Sequence, residues 1–160
     1  MTLREFNAAD SAAAQSALLL CCGSTEWTKN MLHQRPFSDL ETLLSNAESS
    51  WWTLAPADWL EAFSAHPKIG ETRLSCWCSQ EQSGVRSAGG GILERLAAGN
   101  RDYQQRFGWI FLVNASGKSA SEMLEVLHSR LTNDSAEELR IAAGEQAQIT
   151  RLRLRKLFEL

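Results

Sequence analysis

A chain of 160 residues, 44% apolar and 22% charged, has the composition of a soluble globular protein and is long enough to bury a core within one domain. Its net charge of -3 leaves no basic footprint for nucleic acid, and no apolar run approaches the roughly 18 residues that a membrane helix needs. Cys21, Cys22, Cys76 and Cys78 lack the C-x-x-C spacing of zinc or thioredoxin-like sites, so they read as small apolar residues of a reducing compartment.

In chain order, nearly every segment reads as helix. "NAADSAAAQSALLLCCG" offers Asn7 and Asp10 as caps, is rich in alanine and leucine, and meets Gly23 as a stop signal. "SDLETLLSNAESSWW" opens with Ser38 and Asp39 and repeats Leu40, Leu43, Leu44 and Ala47 along one face. "APADWLEAF" places Pro56 in a first turn, where its missing N–H is no loss. The "AGGG" tract at 88–91 reads as a loop, and "GILERLAAGNRDYQQRFG" then aligns Leu93, Leu96, Asn100, Tyr103 and Phe107 before stopping at Gly108. Two further helices follow. "SASEMLEVLHSRL" carries Met123, Leu124, Leu127 and Leu131, and "SAEELRIAAGEQAQITRLRLRKLF" carries Leu139, Ala142, Ile149, Leu152 and Phe158. "WIFLVN", 109–114, is aromatic and β-branched; with no partner strand in view, it is expected as a short buried extended segment between helices. The predicted fold is an all-α, single-domain helical bundle over residues 1–160.

Three places hold residues able to carry chemistry. His66 precedes Pro67 where an apolar helical run ends; Pro67 restricts the residue before it, which either terminates a helix or aims the imidazole into a cavity. Histidines at helix ends are ordinarily caps or half-buried core residues, and His33 and His128 fit that description. No histidine pair has metal-ligand spacing, so no metal site is expected. Glu81 and Gln82 follow Trp77 and two cysteines, an apolar setting that would raise a carboxyl pKa if it buries Glu81; otherwise Glu81 is a solvated charge in a first helical turn. In "ITRLRLRKL", Arg151, Arg153 and Arg155 are spaced by two, about 200° around a helix, so they cannot share a face and at least one must turn toward the apolar side.

Taken together, Phe6, "RPF" with Asp39, "HP" with Gly70, "EQSG", "NRDYQQRFG", "FLVNA", "EL" with Glu145 and "RL" inside "ITRLRL" form an ordered set. On these the chain resembles the 2-oxo-4-hydroxy-4-carboxy-5-ureidoimidazoline (OHCU) decarboxylase family. The resemblance implies an all-helical, cofactor-free and usually dimeric enzyme that forms (S)-allantoin from an oxidation product of urate. It implies that His66 and Glu81 are catalytic and that Pro67, Gln82, the backbone of Phe111, Leu112, Val113, Asn114 and Ala115, and Arg153 bind substrate. Cys78 stands where the family motif has serine. A thiol donates more weakly than a hydroxyl, so that contact falls to the backbone or to Ser79. Position 110 is isoleucine where many members carry proline.

The partner so implied is a small ureidoimidazoline, with no nucleic acid and no membrane, in a homodimer. Arg4, Glu5 and Asp10 stand where a secretory signal would be apolar, and the ending "FEL" differs from the S-K-L peroxisomal address, so the expected location is the cytoplasm. Two other readings are a related ureide hydrolase or isomerase on the same scaffold and a helical interaction module without catalysis.

Overall fold

Asp10, Ser24, Asp39 and Ser119 share one local task. Each accepts a hydrogen bond from the backbone N–H three residues on, at 2.8, 3.2, 2.7 and 3.2 Å respectively, and so satisfies a donor that a new helix leaves unpaired. The computed structural model describes residues 1–67 and 89–159. Among these it contains eight helices and no strand: α1 Leu3–Ala8, α2 Ser11–Cys21, α3 Thr25–His33, α4 Leu40–Trp52, α5 Pro56–Ser64, α6 Gly90–Phe107, α7 Ala120–Arg130 and α8 Ser135–Phe158. The all-α expectation holds.

Several local expectations change. The first predicted helix is two. Asp10 caps α2, while Asn7 lies inside α1 and caps nothing. Its amide instead donates to the Phe37 carbonyl at 2.8 Å, and its carbonyl accepts the Phe37 N–H at 3.0 Å. Helix α3 is absent from the sequence reading. The glycine tract read as a loop supplies the start of α6, with Gly89 as its N-cap. Helix α4 starts after the expected cap Asp39, Pro56 occupies the first turn of α5 as expected, and α7 lies within the segment read as helix.

The chain divides into two compact units, Met1–Ala65 with Gln146–Leu160, and His66–Glu145. In the first, α3 packs against α2, α4 and α5. Trp27 of α3 is fully buried, and its indole N–H donates to the Ala47 carbonyl at 3.0 Å; Trp59 of α5 donates likewise to Trp51 at 3.0 Å. Each large ring thus buries apolar area and satisfies its one polar atom. Gly23 follows the C-cap Cys22 with an ordinary negative φ, so handedness does not explain it. Proximity does: a Cβ there would stand 2.4 Å from the Cβ of Ala65, the residue that ends α5 just before His66.

In the second unit, α6 packs on α7, and Leu96, Tyr103, Phe107, Phe111, Val113, Met123 and Leu127 are all buried in one cluster. Gly108 closes α6 at φ 88°, a left-handed conformation that other residues adopt with strain, and its N–H donates to the Gln104 carbonyl at 2.9 Å. Residues 109–114 then run between α6 and α7 outside any helix, with Phe111, Leu112 and Val113 buried.

The Gly23 contact can be tested directly. Gly23→Ala is expected to lower unfolding free energy by about 1–3 kcal/mol, the usual range for an overpacked core site. The double variant Gly23→Ala/Ala65→Gly, which removes the opposing methyl, should recover most of that loss in urea denaturation. Equal destabilisation in both would contradict the contact.

Candidate functional site

The helix before His66 is fixed from both ends. Asp58 accepts the Ala55 N–H at 3.2 Å at its start, and Glu61 accepts from the Thr25 N–H and hydroxyl at 3.0 and 2.6 Å. The chain leaves the helix through Ala65, whose N–H still bonds the Ala62 carbonyl at 3.2 Å. His66 follows in a bend, half-buried, and Pro67 after it is half-buried too. Pro67 therefore sits where the helix has already ended at Ser64. By contrast His33 and His128 are exposed in the last turns of α3 and α7, positions that the helix dipole favours for a basic group.

The run 111–115 is held by charged side chains. Arg130, at the end of α7 and 5% exposed, donates from Nη1 to the Leu112 carbonyl at 2.6 Å. Its Nε donates to Oε1 of the fully buried Glu138 at 2.6 Å, and its guanidinium lies 4.8 Å from the centre of the Phe111 ring. Tyr103 donates its hydroxyl to Glu138 Oε1 at 2.5 Å and accepts the Trp109 indole N–H at 3.1 Å, while Asn133 donates to Glu138 Oε2 at 3.0 Å. Burial, and the bond to the carboxylate next, hold the Tyr103 hydroxyl well above its ordinary pKa. Further along, the Asn114 N–H donates to Glu145 Oε2 at 2.8 Å and the Lys118 ammonium donates to the Asn114 carbonyl at 2.9 Å. Among the described residues no protein group bonds the N–H of Phe111 or either backbone group of Val113, although both residues are at most 5% exposed. Buried backbone groups ordinarily have partners, and among the described residues these have none.

Arg130, Glu138 and Tyr103 were not among the sequence candidates. Arg130 and Glu138 stand in a last and a first helical turn, where surface charge is already expected. The available signal was Tyr103: a tyrosine within an otherwise apolar stripe needs a buried partner for its hydroxyl.

In the first unit the arginine triplet separates as its spacing requires. Arg153 is 7% exposed, whereas the side chains of Arg151 and Arg155 retain 43% and 33% and pair with Glu41 at 3.6 and 2.7 Å. The positive charge of Arg153 acts on Cys21 and Cys22, both free and buried. Burial outweighs that attraction and pushes the two thiols up to about 12 and about 11. His66, Pro67 and the run 111–115 belong to the second unit and Arg153 to the first. Cys78, Ser79, Glu81 and Gln82, with Cys76 and the helix start expected near them, lie outside the described residues. Among the described residues no three His, Cys, Asp or Glu side chains are grouped to hold a metal ion.

Residues 7–155 match the profile of the OHCU decarboxylase family. An Arabidopsis thaliana "uric acid degradation bifunctional protein" is 39% identical over 87% of this chain and 45% of its own length. A human "putative 2-oxo-4-hydroxy-4-carboxy-5-ureidoimidazoline decarboxylase" is 36% identical over 78% of this chain and 76% of its own. This chain therefore spans less than half of the bifunctional relative and about three quarters of the human one. A crystal structure of OHCU decarboxylase in the presence of (S)-allantoin is 39% identical and superposes with a TM-score of 0.82, covering 89% of this chain and 96% of that one. An (S)-allantoin synthase structure, 18% identical with a TM-score of 0.75, shares the fold.

The raised thiols set a pH dependence. Unfolding lowers both pKa values toward 9.0, so between there and about 11 the unfolded state binds fewer protons than the folded state, and stability falls as pH rises. The urea midpoint is expected to be lower at about pH 10 than at about pH 8, and Cys21→Ala/Cys22→Ala should flatten the difference. Peptide mass mapping after iodoacetamide at pH 8 should show Cys21 and Cys22 unlabelled until denaturant is added. Rapid labelling of either in the native chain would contradict the burial.

Proposed function

The chain belongs to the OHCU decarboxylase family, and from that premise we propose that residues 1–160 form one OHCU decarboxylase-like domain that converts 2-oxo-4-hydroxy-4-carboxy-5-ureidoimidazoline to (S)-allantoin in urate degradation. The observation that carries this reading is the family match across residues 7–155, together with 39% identity and a TM-score of 0.82 to an OHCU decarboxylase. The buried run at Phe111 to Val113, whose unbonded backbone donors and acceptor suit a ligand edged with amide-like groups, supports the same substrate class.

The substrate carries hydroxyl and carboxylate on one ring carbon, beside a ring carbon that bears the ureido group and is doubly bonded to nitrogen. When the bond to the carboxylate breaks, its electron pair moves into that C=N system and carbon dioxide leaves. The ring nitrogen that receives the electrons takes up a proton, the hydroxyl proton is lost as its carbon becomes a carbonyl, and the ureido-bearing carbon gains a proton on one face. The electron sink lies in the substrate, so no cofactor is needed for the carbon–carbon step.

The protein's part is proton handling and orientation. His66, at the end of a helix anchored by Glu61, acts as the acid–base group at the hydroxyl-bearing centre. Glu81 assists by orienting it or exchanging a proton. Gln82 reads the ureido amide. Pro67, Cys78, Ser79, Leu112, Asn114 and Ala115 complete the lining of the substrate site. Arg153 holds an anionic or carbonyl edge; its burial, in contrast to Arg151 and Arg155, suits a planar fork kept out of bulk water. The enzyme works as a cytoplasmic homodimer: free buried thiols at Cys21 and Cys22 suit a reducing compartment, and exposed Leu20 and Trp52 offer apolar surface to a second copy.

Three measurements test this reading. OHCU generated in situ from urate decays spontaneously to racemic allantoin, so an optically active product by circular dichroism is the expected result, and a racemate at the spontaneous rate would overturn it. His66→Asn should then lower the rate by about 10²–10⁴-fold, the usual range for a general acid–base group, with little change in unfolding midpoint. Arg153→Lys should lower kcat/KM severalfold while the same change at Arg151 or Arg155 leaves it nearly unaltered; equal small effects at all three would remove Arg153 from the site.

A further inference from the structure

Two charged side chains bracket Val113. Arg130 Nη1 donates to the carbonyl of Leu112, and Glu145 Oε2 accepts the N–H of Asn114. A trans peptide is planar, with its C=O and the following N–H pointing in opposite directions. Drawing the Leu112 carbonyl toward Arg130 therefore turns the Val113 N–H away from Arg130. Drawing the Asn114 N–H toward Glu145 turns the Val113 carbonyl away from Glu145. Neither Val113 group has a protein partner among the described residues, and Val113 is 5% exposed.

We infer that Arg130 and Glu145 are positioning residues that lock the two peptides flanking Val113, so that its N–H and C=O are presented as a donor–acceptor pair to an amide-like edge of the ligand. This rests on the decarboxylase reading above and deepens it. Arg130 is itself immobilised by Glu138, and Glu138 by Tyr103 and Asn133. The Phe111 ring under the guanidinium keeps the fork from turning. At the other pin, Lys118 holds the Asn114 carbonyl at 2.9 Å, so the peptide after the bracket is fixed as well.

The geometry also assigns the variants. Glu145→Ala removes the acceptor for Asn114, while Glu145→Gln keeps an acceptor oxygen of the same reach and discards only the charge. Arg130→Lys keeps the charge but cannot span Glu138 and the Leu112 carbonyl together.

The test uses the chain of residues 1–160 and three readouts: steady-state kinetics on OHCU generated in situ, thermal unfolding, and the Val113 amide resonance of ¹⁵N-labelled protein titrated with (S)-allantoin. In the wild type the Val113 resonance should move on titration. Glu145→Ala should raise KM about five- to tenfold with a smaller change in kcat, the scale of one ordinary net hydrogen bond, and should abolish the Val113 response. Glu145→Gln should restore most of both, and Arg130→Lys should shift KM in the same direction if it folds. A folded Glu145→Ala protein with wild-type KM and an unchanged Val113 response overturns the pinning while leaving the decarboxylase reading intact. A Glu145→Gln variant as impaired as Glu145→Ala also overturns it, since loss of charge alone would then explain the defect. A wild-type chain that neither makes (S)-allantoin nor binds it overturns the functional reading and the pinning together.

Discussion

A guanidinium and a carboxylate shut away from water, Arg130 at 5% and Glu138 at 0% exposure, dictate how the second unit is put together. Breaking such a pair from one side leaves an uncompensated charge that costs about 3–5 kcal/mol, although apolar residues of equal volume are often no less stable. Stability is thus a poor reason for placing charge here. Geometry is a better one. Glu138 takes bonds from Arg130, Tyr103 and Asn133, and what Arg130 has left is a fixed N–H aimed at the Leu112 carbonyl. Three helices and an irregular run meet in that network because each supplies a group the others need.

How much of this was legible in the sequence differs by element. Helices whose caps and apolar spacing agree were legible: Asp39 before the Leu43, Leu44 and Ala47 face, Pro56 in a first turn, and Ser119 with Glu122 before Met123, Leu124 and Leu127. Helix α3 was not, because its buried set of Trp27, Thr28 and Met31 is short, two threonines sit within it, and part of its start is secured by Glu61, thirty-six residues away. Helix α1 carried a signal that went unread. Thr2 and Glu5 form a reciprocal capping box, which marks a start eight residues before Asp10 marks another. Gly23 shows the same limit from the other side: a stop signal in sequence, it is a close approach to Ala65 in space.

The candidate site divides along similar lines. Arginines two apart cannot share a helical face, and that alone required one of the triplet to turn inward; burial of Arg153 beside Cys21 and Cys22 is the outcome. The Arg130–Glu138 pair left no comparable trace. Each residue stands in a helix-end turn whose sign of charge the dipole already explains, and the partner that reveals their burial, Tyr103, is thirty-five residues from Glu138. Local physics accounted for both charges, so nothing in the pattern asked for a nonlocal one.

A ligand read by backbone groups raises this difficulty further. Every residue except proline offers the same N–H and C=O, so a donor–acceptor pair at Val113 is indistinguishable by residue type from one elsewhere. What differs is whether neighbouring peptides are free to rotate. Water would occupy any backbone pair on an exposed loop, and a loop able to reorient would lose that order each time it bound. Burial removes the water, and the bonds from Arg130, Glu145 and Lys118 remove the freedom. The chemical identity of such a site therefore resides less in the residues that touch ligand than in the charged side chains behind them, which hold the peptide planes still.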